Sequence, residues 1–230
     1  QGTVAGGKAP WGGGIYNNEF KDPDSGEYVK ATVNLNGASI ETNHANIGGG
    51  IYNNRGTVEL QGDGYLVGGG EPGDANTADS FGGGIYNDNG RVTLNSGEIT
   101  YNTTKGDGGG IVNTGHSAML TLNGGSIDHN KAKYDGGGIY TTIKANVDMR
   151  GGSISNNTAE DGGGIGGYIA MDITGGEITN NKATGGGGGI YMHKGELNVN
   201  GQEINKEDAA RNFVHDNTAN DPNTQNIRFP

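Results

Sequence analysis

The sequence contains no cysteine, only 5 prolines and a single tryptophan among its 230 residues. Without cysteine there is no disulfide framework and no thiolate chemistry. No apolar run approaches the roughly 20 residues that cross a bilayer as a helix, which argues against membrane insertion. Positive charge is also scarce: Lys plus Arg is 15 against 26 acidic residues, a formal net charge of −11. The basic residues are scattered, so the chain lacks the basic stripe that nucleic-acid binding requires. The hydrophobic fraction is 30%, well below the roughly 45–50% of ordinary globular domains.

Glycine (49) and asparagine (29) fill much of the remainder. Glycine does not fall at every third position and proline is rare, which excludes collagen. The composition disfavours a conventional helical domain, because glycine costs about 1 kcal/mol per helical position. Composition alone would then suggest disorder, so the placement of the glycines decides the matter. The chain opens at Gln1 with no initiator Met, charged n-region or apolar h-region. It is therefore expected to be a processed protein or a piece of a longer one.

The glycines are periodic. Gly-Gly-Gly-Ile recurs seven times, at Ile15, Ile51, Ile85, Ile111, Ile139, Ile165 and Ile190. A second signature, Val-x-Leu or a close variant, lies within each regular interval at Val92/Leu94, Leu120/Leu122, Val147/Met149 and Met171/Ile173, with Val33/Leu35 ahead of these and Leu197/Val199 behind. A third, Ile-x-x-Asn and often x-Ala, appears at Ile40/Asn43, Ile99/Asn102, Ile127/Asn130, Ile154/Asn157 and Ile178/Asn181, with Val214/Asn217 as a degraded copy.

Val-x-Leu has period 2 and places both apolar side chains on one face of a short strand. The two Ile segments begin two more strands. None is stable alone, but stacked repeats align their apolar rows and pair every strand with the coil above and below. Three strands per turn of roughly 26 residues predict an all-β, right-handed parallel β-helix of about 7–8 coils. Gly-Gly pairs such as Gly124-Gly125 are expected at the bend between strands two and three. The Gly triplets are expected where a side chain would crowd the next coil, and recurring Asn where stacked amides satisfy bend groups. Ile227 is expected as an eighth copy of the first-strand position.

Residues 1–230 are read as one domain with insertions near 19–30, 62–75 and 202–213. The last includes Asn205–Asn212, which has the composition of one or two helical turns. Insertions on a solenoid are where function concentrates, although plain tolerated loops are the alternative. Neither end shows a polar cap, so end-to-end self-association is a further expectation.

Gly-Gly-Gly-Ile coupled to Ile-x-x-Asn resembles the paired Gly-Gly-Ala-[Ile/Leu/Val] and Phe-x-x-Asn motifs of chlamydial polymorphic outer membrane proteins, and the β-helix repeats of large bacterial surface adhesins. Here the third Gly replaces Ala and Ile replaces Phe. The resemblance runs from residue 12 to about 220. It implies a secreted or surface-exposed bacterial β-helix used in adhesion.

The residue after the repeat Ile is Tyr at Tyr16, Tyr52, Tyr86, Tyr140 and Tyr191, with Val112 and Gly166 between. Pointing outward, these form a broken ladder. It can serve as a carbohydrate-binding platform for a glycan or cell-surface ligand, or simply cover neighbouring backbone. A second outward row includes Asp148 and Asp172, expected roughly 5 Å apart as stacked strand neighbours. They are the only metal candidates, a weak Ca²⁺ pair with no third carboxylate and no Lys or Arg column beside it. Otherwise no metal and no cofactor is expected. His44, His116, His129, His193 and His215 occupy different repeat positions and offer no repeated metal geometry. Asn102-Thr-Thr104 and Asn156-Asn-Thr158 are formal glycosylation sequons. The leading expectation is a non-enzymatic surface binding module. A structural stalk or filament subunit is the first alternative and a polysaccharide lyase or hydrolase the second, the latter lacking clustered Asp with Arg or Lys.

Overall fold

Each Val-x-Leu segment is a short strand with its apolar pair inward. Thr57–Gln61 lies in register between Thr32–Asn36 and Arg91–Leu94, so that Val58 abuts Val33 and Val92, and Leu60 abuts Leu35 and Leu94. The register continues through Met119–Leu122 and Asn146–Met149. The computed structural model describes residues 2–204, 213–222 and 225–229. Nearly all its strand pairs are parallel, stacked in columns that wind into a right-handed parallel β-helix. The row of repeat Ile residues is unbroken from Ile15 to Ile190, and Ile227 pairs with Ile190 as an eighth rung. The Ile-x-x-Asn column also has eight strands, with Val4 and Val67 in the Ile position of rungs whose sequence gives no complete motif. The inward Ile, Val, Leu and Met residues form one continuous core.

Beyond the three expected strands, a short fourth segment follows the Asn. Lys8–Trp11, His44–Ile47, Thr77–Phe81 and Thr103–Thr104 form a small parallel sheet, and Thr158–Ala159 pairs with Lys182–Ala183. Its inward residue is the Ala of the x-Ala signature (Ala45, Ala78, Ala159, Ala183), with Thr104 at the same position of one rung, all buried at this corner.

The bend before that segment is made by one residue in the left-handed region: Thr42, Tyr101, His129, Asn156, Asn180 and Asp216 all have φ between 52° and 57°. The next residue is the buried Asn, and these amides form a ladder through the molecule. Asn43, Asn76, Asn102, Asn130, Asn157 and Asn181 each donate through Nδ2 to the Oδ1 of the next as far as Asn217, whose own Nδ2 donates to Asn226 Oδ1. A second ladder joins Asn17, Asn53, Asn87 and Asn113 at the opposite corner. Asn53 and Asn87 also donate there to the turn carbonyls of Gly56 and Gly90. In the last coils Gly167 and Met192 replace this Asn. There the corner is lost, and the chain runs straight on as the long strands Ile165–Ile173 and Ile190–Val199.

The Gly triplets sit where backbone meets backbone. Gly108 has φ of 69°, and a Cβ on Gly109 would run into the Gly137 carbonyl oxygen and lie 2.6 Å from the backbone N and C of Lys131. The detours are small. Phe20–Lys21 and Tyr28–Val29 form a hairpin whose turn is held by Asp22 Oδ1, accepting from the Asp24 and Ser25 N–H groups. Within 62–75, Tyr65–Gly68 is a rung of the coil, and only the part after it loops out through a 3-10 turn at Pro72–Asp74. Gln202–Glu203 folds back antiparallel on Asn198 and Val199. The helical turns expected at Asn205–Asn212 lie outside the described residues.

Candidate functional site

The strand that begins at each repeat Ile turns the next residue outward, so the tyrosines line one face. Three of them stack. Tyr16 and Tyr52 have ring centroids 5.3 Å apart at 23°, and Tyr52 and Tyr86 are 5.2 Å apart at 17°. Trp11, at the end of the fourth segment, packs over both Tyr16 (6.4 Å) and Tyr52 (6.2 Å). The rings therefore turn their faces to one another along the axis. Tyr52 and Tyr86 present mainly edges and hydroxyls to solvent, whereas Trp11 (52% exposed) and Tyr16 (48%) remain open. Burial, followed by the Asp88 charge, pushes the Tyr52 and Tyr86 phenols above their ordinary range, and Tyr52 Oη donates to Asp88 Oδ2 at 3.4 Å.

Tyr140 and Tyr191 do not join this stack, because Val112 and Gly166 occupy the intervening rungs. Burial and the charges of Asp107 and Asp135 push the Tyr140 phenol up to about 12. Tyr191 lies edge-on to His193 (4.9 Å) and under the Arg228 guanidinium (5.1 Å). His193 reaches back past the rung of Gly166, which has no side chain to obstruct it, and its Nε2 meets Asp135 Oδ2 at 2.6 Å.

Sequence reasoning missed the column beside the tyrosines. The residue before each Gly triplet changes character along the rod: Trp11, Ile47 and Phe81 in one half, then Asp107, Asp135 and Asp161 in the other. The signal was present in the sequence as the position preceding each triplet. Asp107 Oδ1 accepts from the Asp135 N–H (3.0 Å) and Asp161 Oδ1 from the Gly186 N–H (2.6 Å), so two of the acids bond to backbone of the next rung. Burial, with Asp135 nearby, holds the Asp107 carboxyl above the usual range.

Asp148 and Asp172 stand side by side in register. A single guanidinium accompanies them: Arg150 Nε is 2.9 Å from Asp148 Oδ2 and its Nη2 contacts the same oxygen. Among the described residues no three His, Asp or Glu side chains group as metal ligands. The sequon residue Asn102 is fully buried in the amide ladder, so a glycan has no access to it, while Asn156 is exposed.

Residues 176–192 match the Chlamydia polymorphic membrane protein repeat. The match contains Ile178-Thr-Asn-Asn181-Lys-Ala183 and the following Gly-Gly-Gly-Ile190, the two signatures on which the family resemblance was read. A search of curated proteins finds no match to the chain, and neither does a search of solved structures. The class is that of a parallel β-helix built from a repeat similar to the chlamydial one.

Proposed function

We propose that this chain is a surface-exposed, non-catalytic binding module that contacts a glycan or cell-surface ligand through the strip Trp11, Tyr16, Tyr52 and Tyr86. The observation that carries this reading is the continuous stack of these four rings on the outside of the rod, flanked by Ile47 and the exposed Phe81. A solvated β-helix face has no need of such an apolar concentration. Trp11 and Tyr16 make the direct contact, since their surfaces are open, and Tyr52 and Tyr86 hold them in line. The similarity of residues 176–192 to a membrane-protein repeat supports a cell-surface setting.

The test is a glycan array and a cell-binding assay comparing the native chain with Trp11→Ala/Tyr16→Ala. Loss of most binding in a variant that keeps its thermal midpoint is expected. Equal binding by both would sink the strip, and turnover of uronate polymers by the native chain would overturn the non-catalytic assignment.

A structural role is the second reading, favoured by the outer edge of the first coil. Thr3–Ala5, Ile15–Asn18 and Thr32–Asn36 each pair on one side only among the described residues, and Val4 is 40% exposed there. Such an edge accepts another coil. Filaments visible by electron microscopy at high concentration would support this role, and isolated monomers would exclude it.

A further inference from the structure

The two long strands border a groove on the outer face of the rod. Below them, Ile139–Thr141 and Asn146–Met149 are separated by a turn, whereas Ile165–Ile173 and Ile190–Val199 pass the same level without one. Between that turn and the strands lies a groove of about 360 Å³, within the range of about 300–1,000 Å³ typical of small-ligand sites. Its geometry depends on a slip in register between Gly167 and Tyr168, which sets Tyr168 opposite Lys194 and Ala170 opposite Glu196 on the outward face. Gly195 lies between them at φ of 130°, where an added Cβ would run into the Ile169 backbone, so any side chain there is excluded.

The chemistry of the lining is mixed in a particular way. Ile143 (57% exposed), Tyr168 and Ala170 supply apolar surface, Lys144 and Lys194 two ammonium groups, and Glu196 a carboxylate. Among the described residues neither lysine has a hydrogen-bond or ion-pair partner, whereas Arg55, Lys105 and Arg150 are each paired to an acid. Two uncommitted cations thus meet at one groove in a chain of net charge −11. Ammonium groups only donate and a carboxylate only accepts. A complementary ligand must therefore carry an anionic acceptor, hydroxyl donors and an apolar face together. A sugar ring bearing a carboxylate has all three.

We propose that this groove binds a carboxylated pyranose, a sugar of the uronic or sialic acid class. Its carboxylate lies between Lys144 and Lys194, a hydroxyl donates to Glu196, and its C–H face rests on Tyr168 and Ile143. The groove shares no residue with the aromatic strip, so the two sites stand or fall separately.

Titration calorimetry of the whole chain tests this with galacturonic acid, using galactose, sulfated galactose and a short glutamate-containing peptide as competitors of different chemistry. Galacturonic acid should bind at millimolar concentrations, with an affinity that salt weakens and that galactose does not match. Lys144→Gln and Lys194→Gln should each weaken it about tenfold, as expected for losing a charged hydrogen-bond partner, without moving the thermal midpoint. Asn123→Ala, which lines neither the groove nor the aromatic strip, should leave it unchanged. No heat with galacturonic acid, equal affinity for galactose, tighter binding of the sulfated sugar or the peptide, or full affinity in the double lysine variant would each overturn the proposal.

Discussion

Asn130 Nδ2 lies 3.1 Å from Asn157 Oδ1, and the Asn130 backbone N–H reaches the same oxygen at 2.9 Å. The second Nδ2 proton goes to the Ile99 carbonyl, and Asn130 Oδ1 accepts both donors of Asn102 in turn. One buried side chain thus satisfies groups on three coils, and no buried side-chain N or O atom lacks a partner among the described residues.

Asn130→Ala removes these side-chain bonds at once and leaves the Ile99 carbonyl and both Asn102 donors unpaired in the interior. It should cost about 2–4 kcal/mol, the penalty of several orphaned buried groups. Asn123→Ala removes a single exposed bond to Asn95 and should cost less than about 0.5 kcal/mol. Denaturant unfolding of both variants checks this. Equal losses would mean that the buried ladder contributes no more than a surface contact.

The glycine triplets should be equally selective. Gly109→Ala pushes a methyl into the backbone of the next coil, and neither Gly137 nor Lys131 can withdraw without breaking the stack. We expect insoluble protein or a loss of more than about 3 kcal/mol, as for severe overpacking against backbone. Gly73→Ala, whose added Cβ meets nothing closer than Glu71 Oε1 at 3.9 Å, should be neutral or stabilising by up to about 1 kcal/mol. Thermal midpoints of the two variants separate a steric role from general glycine flexibility.

These contrasts show why the sequence was readable and where it stopped being so. Gly109, Val92/Leu94 and Ile127/Asn130 are fixed by forces that act identically in every coil, so they recur and reveal the fold. Val67 escaped because the loop after Gly68 separates it from Asn76, breaking the Ile-x-x-Asn spacing while leaving both residues on their columns. The switch from Phe81 to Asp107 escaped for the opposite reason, since a search for likeness passes over a position whose chemistry changes. The tyrosine row was visible in the sequence. That its rings cover one another's faces depends on side-chain geometry, and this moves the open surface to Trp11 and Tyr16.

The left-handed bend before each ladder Asn provides another test. Asn and Asp tolerate φ near +55°, but Thr42, a β-branched residue, occupies it at φ of 55°. Its N–H is held by the Asp74 carbonyl at 3.0 Å, so the conformation is imposed by the neighbouring coil. Thr42→Asn should relieve the strain and stabilise the chain by about 0.5–1 kcal/mol. A lower midpoint would show that the Thr side chain has a compensating role.

Alkaline titration examines the tyrosine face itself. The chain has 10 tyrosines, and an unperturbed phenol ionises near pH 10. In the folded state burial, followed by neighbouring carboxylates, raises Tyr52 and Tyr86, and places Tyr140 at about 12. A folded pKa above the unfolded one means that the folded state holds the proton more tightly. The associated stability is complete below the unfolded value near pH 10 and is lost as pH rises through the folded value. Ultraviolet titration should therefore show Tyr52, Tyr86 and Tyr140 ionising late, with the denaturant midpoint falling between about pH 10 and 12. Asp135→Asn removes one of the charges beside Tyr140 and should bring its ionisation to lower pH without restoring the ordinary value, because burial is the larger cause. A single ionisation step near pH 10 in a chain that remains folded would show that these rings are open to water and that the face is not packed as described.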